Sequence, residues 1–193
     1  MNHRPFGATS LAVLFLSAAA SNDNGGQPTT STYTDSYHSE TVIDAPPQDV
    51  WPQASKIKSW MTAHDLVYVA GTPDAEGEIV KVIPRNIPPT VPKEHFAFYE
   101  VTKIIPLKQI VLKVYSAPGG TFGTQVIGFD TVTLFDENGR TRVAFDLNDE
   151  TTAPYMNPDD LEKHKIEEEK TTANIVSGYW NNLRDLVHGQ KKP

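Results

Sequence analysis

The chain reads as an α+β domain: a curved antiparallel sheet of about seven strands around one long C-terminal helix. Three observations predict it. Six stretches between residues 66 and 149 carry strand patterning separated by turn residues, and a first strand precedes them at 37–44. Residues 159–189 repeat apolar side chains at helical spacing. Finally, the 193 residues include no cysteine, so no disulfide framework can stand in for a core. One helix cannot cover that many strands laid flat, so the sheet has to wrap around it.

The first residues belong to targeting. Met1–Ser10 carry one fixed cation, Arg4, and no acid, and 11–20 (LAVLFLSAAA) is an unbroken apolar or small run. That run is too short for a bilayer, which takes roughly 20 apolar residues, and it suits the hydrophobic region of a signal peptide. Ala18-Ala19-Ala20 meets the small-x-small rule for cleavage before Ser21. The expectation is a signal peptide over 1–20, cleaved near Ala20, and a periplasmic or secreted protein that is soluble afterwards. Residues 21–36 (SNDNGGQPTTSTYTDS) are polar and aperiodic and predict a flexible leader. The domain itself is expected over 37–193. No later run is long enough to span a membrane. The net charge of −7 becomes −8 once Arg4 is removed, and with a pI near 5.3 this excludes a general nucleic-acid binder.

Within the domain, strand 37–44 (YHSETVID) ends at Ala45-Pro46-Pro47. Pro47 suits the first turn of a short helix, which Pro52 limits or restarts. A second short helix over 55–61 has Ser55 as its cap, and Trp51, Ile57, Trp60 and Met61 form the apolar side. Strands follow at 66–70, 78–83, 95–105, 109–115, 124–135 and 140–149. The last places Val143, Phe145 and Leu147 on one face, and Asn138-Gly139 before it is a hairpin turn. In the long helix, acids open the first turns (Asp159, Asp160, Glu162) and Arg184 and His188 close the last, as the helix dipole favours. Its stripe is Ala173, Val176, Trp180, Leu183 and Val187, widened by Tyr179 and Leu186. The charged stretch Glu162 to Lys170 reads as solvated.

Several of these segments resemble the SRPBCC (START/Bet v 1-like) superfamily, and in particular its bacterial polyketide cyclase/dehydrase-type members. They are Ile43-Asp44-Ala45-Pro46-Pro47-Gln48-Asp49-Val50-Trp51, the following helix with Trp60, and Phe98 to Pro106 with Gln109-Ile110-Val111-Leu112. Gly139-Arg140-Thr141-Arg142-Val143 and the final helix with Trp180 complete the resemblance, which spans about 37–188. It implies a helix-grip fold with a cavity between sheet and helix, and members that bind lipids, sterols or polyketides or act as cyclases and dehydratases. It carries no shared catalytic motif.

Connection parity places a site without reference to the family. In an antiparallel meander, 84–94, 116–123 and 150–158 share one end of the sheet, beside the start of the long helix. That end is expected to be the mouth, with the proline-rich 84–94 as rim and Gly119-Gly120 as flap. Strand and helix parity give the expected ligand-binding wall: Trp60, Tyr99, Val101, Leu112, Val114, Tyr155, Val176, Tyr179 and Trp180. Ordinary core packing is the better reading for Trp60, whereas a buried phenol at 99, 155 or 179 needs a partner and can orient a ligand.

No H-E-x-x-H, Walker loop, G-x-G-x-x-G or G-x-S-x-G occurs. If Tyr99 and Val101 face inward so does His95, and Asp130 follows Val132 and Leu134; His95 and Asp130 are the candidate acid–base pair. His164 and Glu168, four apart, read as an ion pair rather than metal ligands, and Glu167-Glu168-Glu169 as a solvated helix face. No metal and no cofactor is expected.

The leading function is an exported binding protein for an apolar or amphipathic small molecule, lipid-, sterol- or polyketide-like, held between sheet and helix. One alternative is a cyclase/dehydratase-type enzyme; another is a protein-interaction module with a filled core.

Overall fold

A computed structural model describes residues 29–85, 97–116 and 124–189. Seven strands form one antiparallel sheet in the order β1-β7-β6-β5-β4-β3-β2. They are β1 (Thr30–Ile43), β2 (His64–Ala70), β3 (Ile79–Pro84), β4 (Ala97–Ile105), β5 (Gln109–Ser116), β6 (Gln125–Asp136) and β7 (Thr141–Pro154). Helices α1 (Pro47–Ala54) and α2 (Ile57–Trp60) follow β1, and α3 (Pro158–Val187) ends the chain's secondary structure. The predicted seven-strand sheet, long terminal helix and two short helices are all present.

Two boundaries differ from the expectation by five residues or more, for one reason. β1 begins at Thr30, so residues 30–36 belong to the sheet and not to a leader. β7 continues to Pro154, so residues 150–154 are strand, and only 155–157 remain between it and α3. The two extensions pair with each other, from Thr30 opposite Pro154 through Asp35 opposite Asp149. Both are polar, and hydropathy alone reads such stretches as loop. Their backbone groups are satisfied by the ladder all the same, and that pairing is blind to side-chain polarity. The expected signal peptide and cleavage site at 1–20, residues 21–28 of the expected leader, His95, and nearly all of the proposed rim and flap lie outside the described residues.

After β1, Pro46 is extended (φ −70°, ψ 158°) and Pro47 opens α1, which runs through Pro52 to Ala54. Ser55 follows α1 and makes no cap for α2, whose capping position is Lys56. Val50, Ala54, Ile57, Trp60 and Met61 are buried. The Trp60 indole donates to the Ala54 carbonyl at 3.0 Å and stacks on Trp180, centroids 6.2 Å apart. Lys58 reaches the buried carboxylate of Glu78 at 2.5 Å, while the Asp74 N–H donates to the other oxygen at 2.8 Å. That ion pair ties α2 to the start of β3.

α3 opens as its sequence dictates: Asn157 accepts from the Asp160 N–H at 3.0 Å, and Pro158, Asp159 and Asp160 fill the first turn. Val176, Tyr179, Trp180 and Leu183 are buried as the stripe predicts, whereas Leu186 is exposed and Asn182 is buried. Asn182 donates to the Trp60 carbonyl at 3.1 Å and to Thr62, which explains a polar residue at that position. The α3 backbone runs closest to β1, α1 and α2. The middle of the sheet faces the helix across its side chains.

Candidate functional site

Alternation places one inward residue in two along each strand. Most are aliphatic: Val101, Leu112, Val114, Val132 and Val143 are all buried. A line of polar side chains crosses this apolar wall. At one edge the His64 ring nitrogen Nδ1 lies 3.0 Å from the Tyr179 hydroxyl. Tyr179 in turn neighbours Tyr99 and Asp130 closely enough for their charges to act on one another, and the Tyr99 O–H donates to Asp130. Asp149 follows on β7, then Asp35 opposite it on β1, whose Oδ2 accepts from the Thr151 hydroxyl at 3.3 Å. At the far edge, the Tyr33 hydroxyl lies 3.3 Å from a Glu168 oxygen and 3.0 Å from His164. The His164–Glu168 pair is itself 3.2 Å apart. This part of α3 was expected to be solvated, yet His164, Lys165 and Glu168 are half-buried, because Tyr33 rises from β1 to meet them.

Gly128 makes room for the line. It faces Asp149 in the ladder, and a Cβ built on it would lie 2.0 Å from Asp149 Oδ1 and 2.3 Å from the Asn148 carbonyl oxygen. The Asp149 carboxylate therefore occupies the space a side chain on β6 would need.

Burial controls the electrostatics. It holds the Asp130 carboxyl well above the usual carboxylate range; the nearby Asp149 charge adds to this and the Tyr99 hydrogen bond partly opposes it. Asp149 is raised to about 6 by burial and then by Asp35. Asp35 is raised to about 6 by burial and then by Glu168, with Thr151, Lys165 and His164 pulling the other way. Burial also pushes up the hydroxyls of Tyr99, Tyr179 and Tyr33. His64 is lowered, first by burial and then by Arg85. Oδ1 of Asp130 and Oδ1 of Asp149 are both buried without a hydrogen-bond partner, although their residues are only 1% and 9% exposed. Native interiors rarely leave such atoms unpaired.

Of the residues singled out from the sequence, Tyr99, Asp130 and Tyr179 come together in the polar line. Val101, Leu112, Val114 and Val176 are buried in the apolar wall. Trp60 and Trp180 are buried with their indole N–H groups satisfied, Trp180 by Ser39 at 2.9 Å, which is ordinary core behaviour. Tyr155 is exposed beyond the end of β7. Asp35, Asp149, Gly128 and His64 went unrecognised. For Asp149 the signal was present, since it continues the parity of Val143, Phe145 and Leu147. Asp35 was hidden by the assignment of its segment to a leader. Among the described residues, no group of three or more His, Asp or Glu side chains is placed to hold a metal ion. No helix there is long and apolar enough to cross a membrane.

No protein-family model matches the chain, and no curated protein sequence does. Solved structures do. A protein of Rhizobium leguminosarum is 15% identical and superposes with a TM-score of 0.59 over 82% of this chain and 97% of its own. Norcoclaurine synthase from Thalictrum flavum, solved with dopamine and hydroxybenzaldehyde, is 18% identical, with a TM-score of 0.53 over 84% of this chain and 91% of that one. Ara h 8.0201 is 13% identical, with a TM-score of 0.51 over 81% and 99%. The fold is the Bet v 1-like helix grip. At 13–18% identity the likeness fixes the architecture and leaves the activity to the site.

Proposed function

We propose that the protein binds an apolar or amphipathic small molecule between the sheet and α3. The observation that carries this reading is the accessible surface that several side chains bordering the core retain. Tyr37, Tyr99, Leu147 and Ile175 border the packed core and retain accessible surface, although the strand residues among them have inward parity. A filled core, the premise of the interaction-module reading, would have covered these side chains and paired the buried oxygens of Asp130 and Asp149. Apolar burial would supply the binding energy, at about 25 cal/mol per Å² removed from water, and the Tyr99–Asp130–Tyr179 cluster would set orientation. Residues 1–20 support export as a further part of the proposal. Native mass spectrometry of protein purified from its own envelope tests both. The expected result is a chain starting near Ser21 with a co-purifying apolar species. An empty protein that also fails to bind a fluorescent apolar probe refutes the binding reading.

Acid–base turnover is favoured by one specific observation: Asp130 is a buried carboxyl with a raised pKa, hydrogen-bonded to Tyr99. A cyclase or dehydratase needs such a group to hold and release a proton near neutral pH. In this reading Asp130→Asn abolishes turnover of a polyketide-like substrate without weakening its binding.

A further inference from the structure

The inner wall holds three carboxylates on three adjacent strands. Asp35 on β1 and Asp149 on β7 are direct cross-strand partners, and Asp149 faces Gly128, two residues before Asp130 on β6. Like charges so placed repel, and burial makes the repulsion and the lost hydration costly. Cations temper only one end of the row, where Lys165 and His164 of α3 act on Asp35 against Glu168. What acts on Asp130 is burial, Asp149 and the Tyr99 hydroxyl; what acts on Asp149 is burial and Asp35. Tyr179 also faces Asp130, with His64 behind it. The two carboxylates furthest from the helix cations are therefore the two that present buried oxygens with no partner. Gly128 keeps the Asp149 carboxylate in that position, since any side chain there would displace it.

We infer that the molecule held by the helix grip carries a protonated nitrogen: an amphipathic amine whose ammonium lies against Asp149 and Asp130 and whose apolar part lies along the wall around Tyr99 and Tyr179. This rests on the binding function proposed above and narrows its ligand class. An ammonium offers the N–H donors and the charge that both orphaned oxygens lack. A fatty-acid carboxylate would bring a further negative charge beside Asp35 and Asp149, which already repel one another. A neutral sterol or hydrocarbon would cover the oxygens without pairing them, leaving their desolvation uncompensated. A hard metal ion needs six or more well-placed oxygen ligands, and the described residues offer no such group.

The test is competition against N-phenyl-1-naphthylamine bound to the full chain at pH 7.5, using n-decylamine and n-decanol, which share one apolar tail. The amine should displace the probe at least about tenfold more effectively than the alcohol. Asp149→Asn and Asp130→Asn should each shrink that preference to less than about threefold, read as the ratio of amine to decanol displacement within each variant. Equal displacement by amine and alcohol overturns the amine inference and leaves the binding function standing. Failure of the probe and both competitors to bind overturns the binding function itself, and the inference with it. A preference that persists in both variants shows that the ammonium sits elsewhere and overturns the assignment to these carboxylates. The wild-type comparison decides the ligand class even if one variant does not fold.

Discussion

Asp149→Asn should make the protein more stable, and increasingly so as pH rises. Within the fold the Asp149 carboxyl is lifted from an ordinary 3.8 to about 6, chiefly by burial and then by Asp35. Ionising it there costs about 3 kcal/mol more than ionising it in the unfolded chain. A carboxyl with a raised folded-state pKa leaves stability intact below its unfolded value, near 4, and takes it away as pH rises through the folded value, near 6. By pH 8 the whole penalty is in force. Asparagine has nearly the same shape, fits the space over Gly128, carries no charge and relieves Asp35 of its neighbour. Its amide can also donate to the Asp35 carboxylate opposite. The gain of the variant over wild type should grow from well under 1 kcal/mol at pH 4 to about 2–3 kcal/mol at pH 8. Urea unfolding of both proteins at pH 4, 6 and 8, read as the difference in free energy at each pH, isolates this group from the other carboxylates. A variant less stable than wild type at pH 8, or a difference that does not change with pH, refutes the reasoning. The same substitution is expected to remove the preference for an amine. The pair of results would show that a binding site is retained at a cost to stability.

Gly128→Ala forces its new methyl into the Asn148 carbonyl as well as the Asp149 carboxylate. It should lower the unfolding free energy by about 2 kcal/mol or more, and a wild-type urea midpoint would show that the strands separate freely there. Lys58→Met leaves the buried Glu78 carboxylate with only the Asp74 N–H and should cost about 2–3 kcal/mol, less than a fully buried pair because Lys58 is part-exposed. The double change Lys58→Met with Glu78→Gln should recover most of that loss, and no recovery would refute the ion-pair account. His64 should titrate below its ordinary 6.5 when followed by NMR of its ring protons, since burial and Arg85 both disfavour its cation. A midpoint at or above 6.5 would mean that the edge of the polar line is open to water.

The architecture was legible because it rests on patterns local in sequence. Helical spacing of Val176, Tyr179, Trp180 and Leu183 selects the face of α3 that is buried. Period-two alternation through Val143, Phe145 and Leu147 fixes which face of β7 looks inward, and Pro46-Pro47 marks the break from β1 into α1. The same parity placed Asp130 inside, where it is found. Residues 30–36 and 150–154 escaped because they are polar strands, recognisable only by the partner that each provides for the other.

Sequence by itself determined the sheet, the gripping helix and the inward direction of Tyr99, Asp130 and Tyr179, because each follows from periodicity within one element. Tertiary structure decided the site. It set Asp35 opposite Asp149, laid the Asp149 carboxylate over Gly128 and left two buried oxygens unpaired. Those are relations between strands, and the residues involved lie up to 114 positions apart along the chain. Their energies come from charge, distance and lost hydration, and these acquire values only when the strands are brought together.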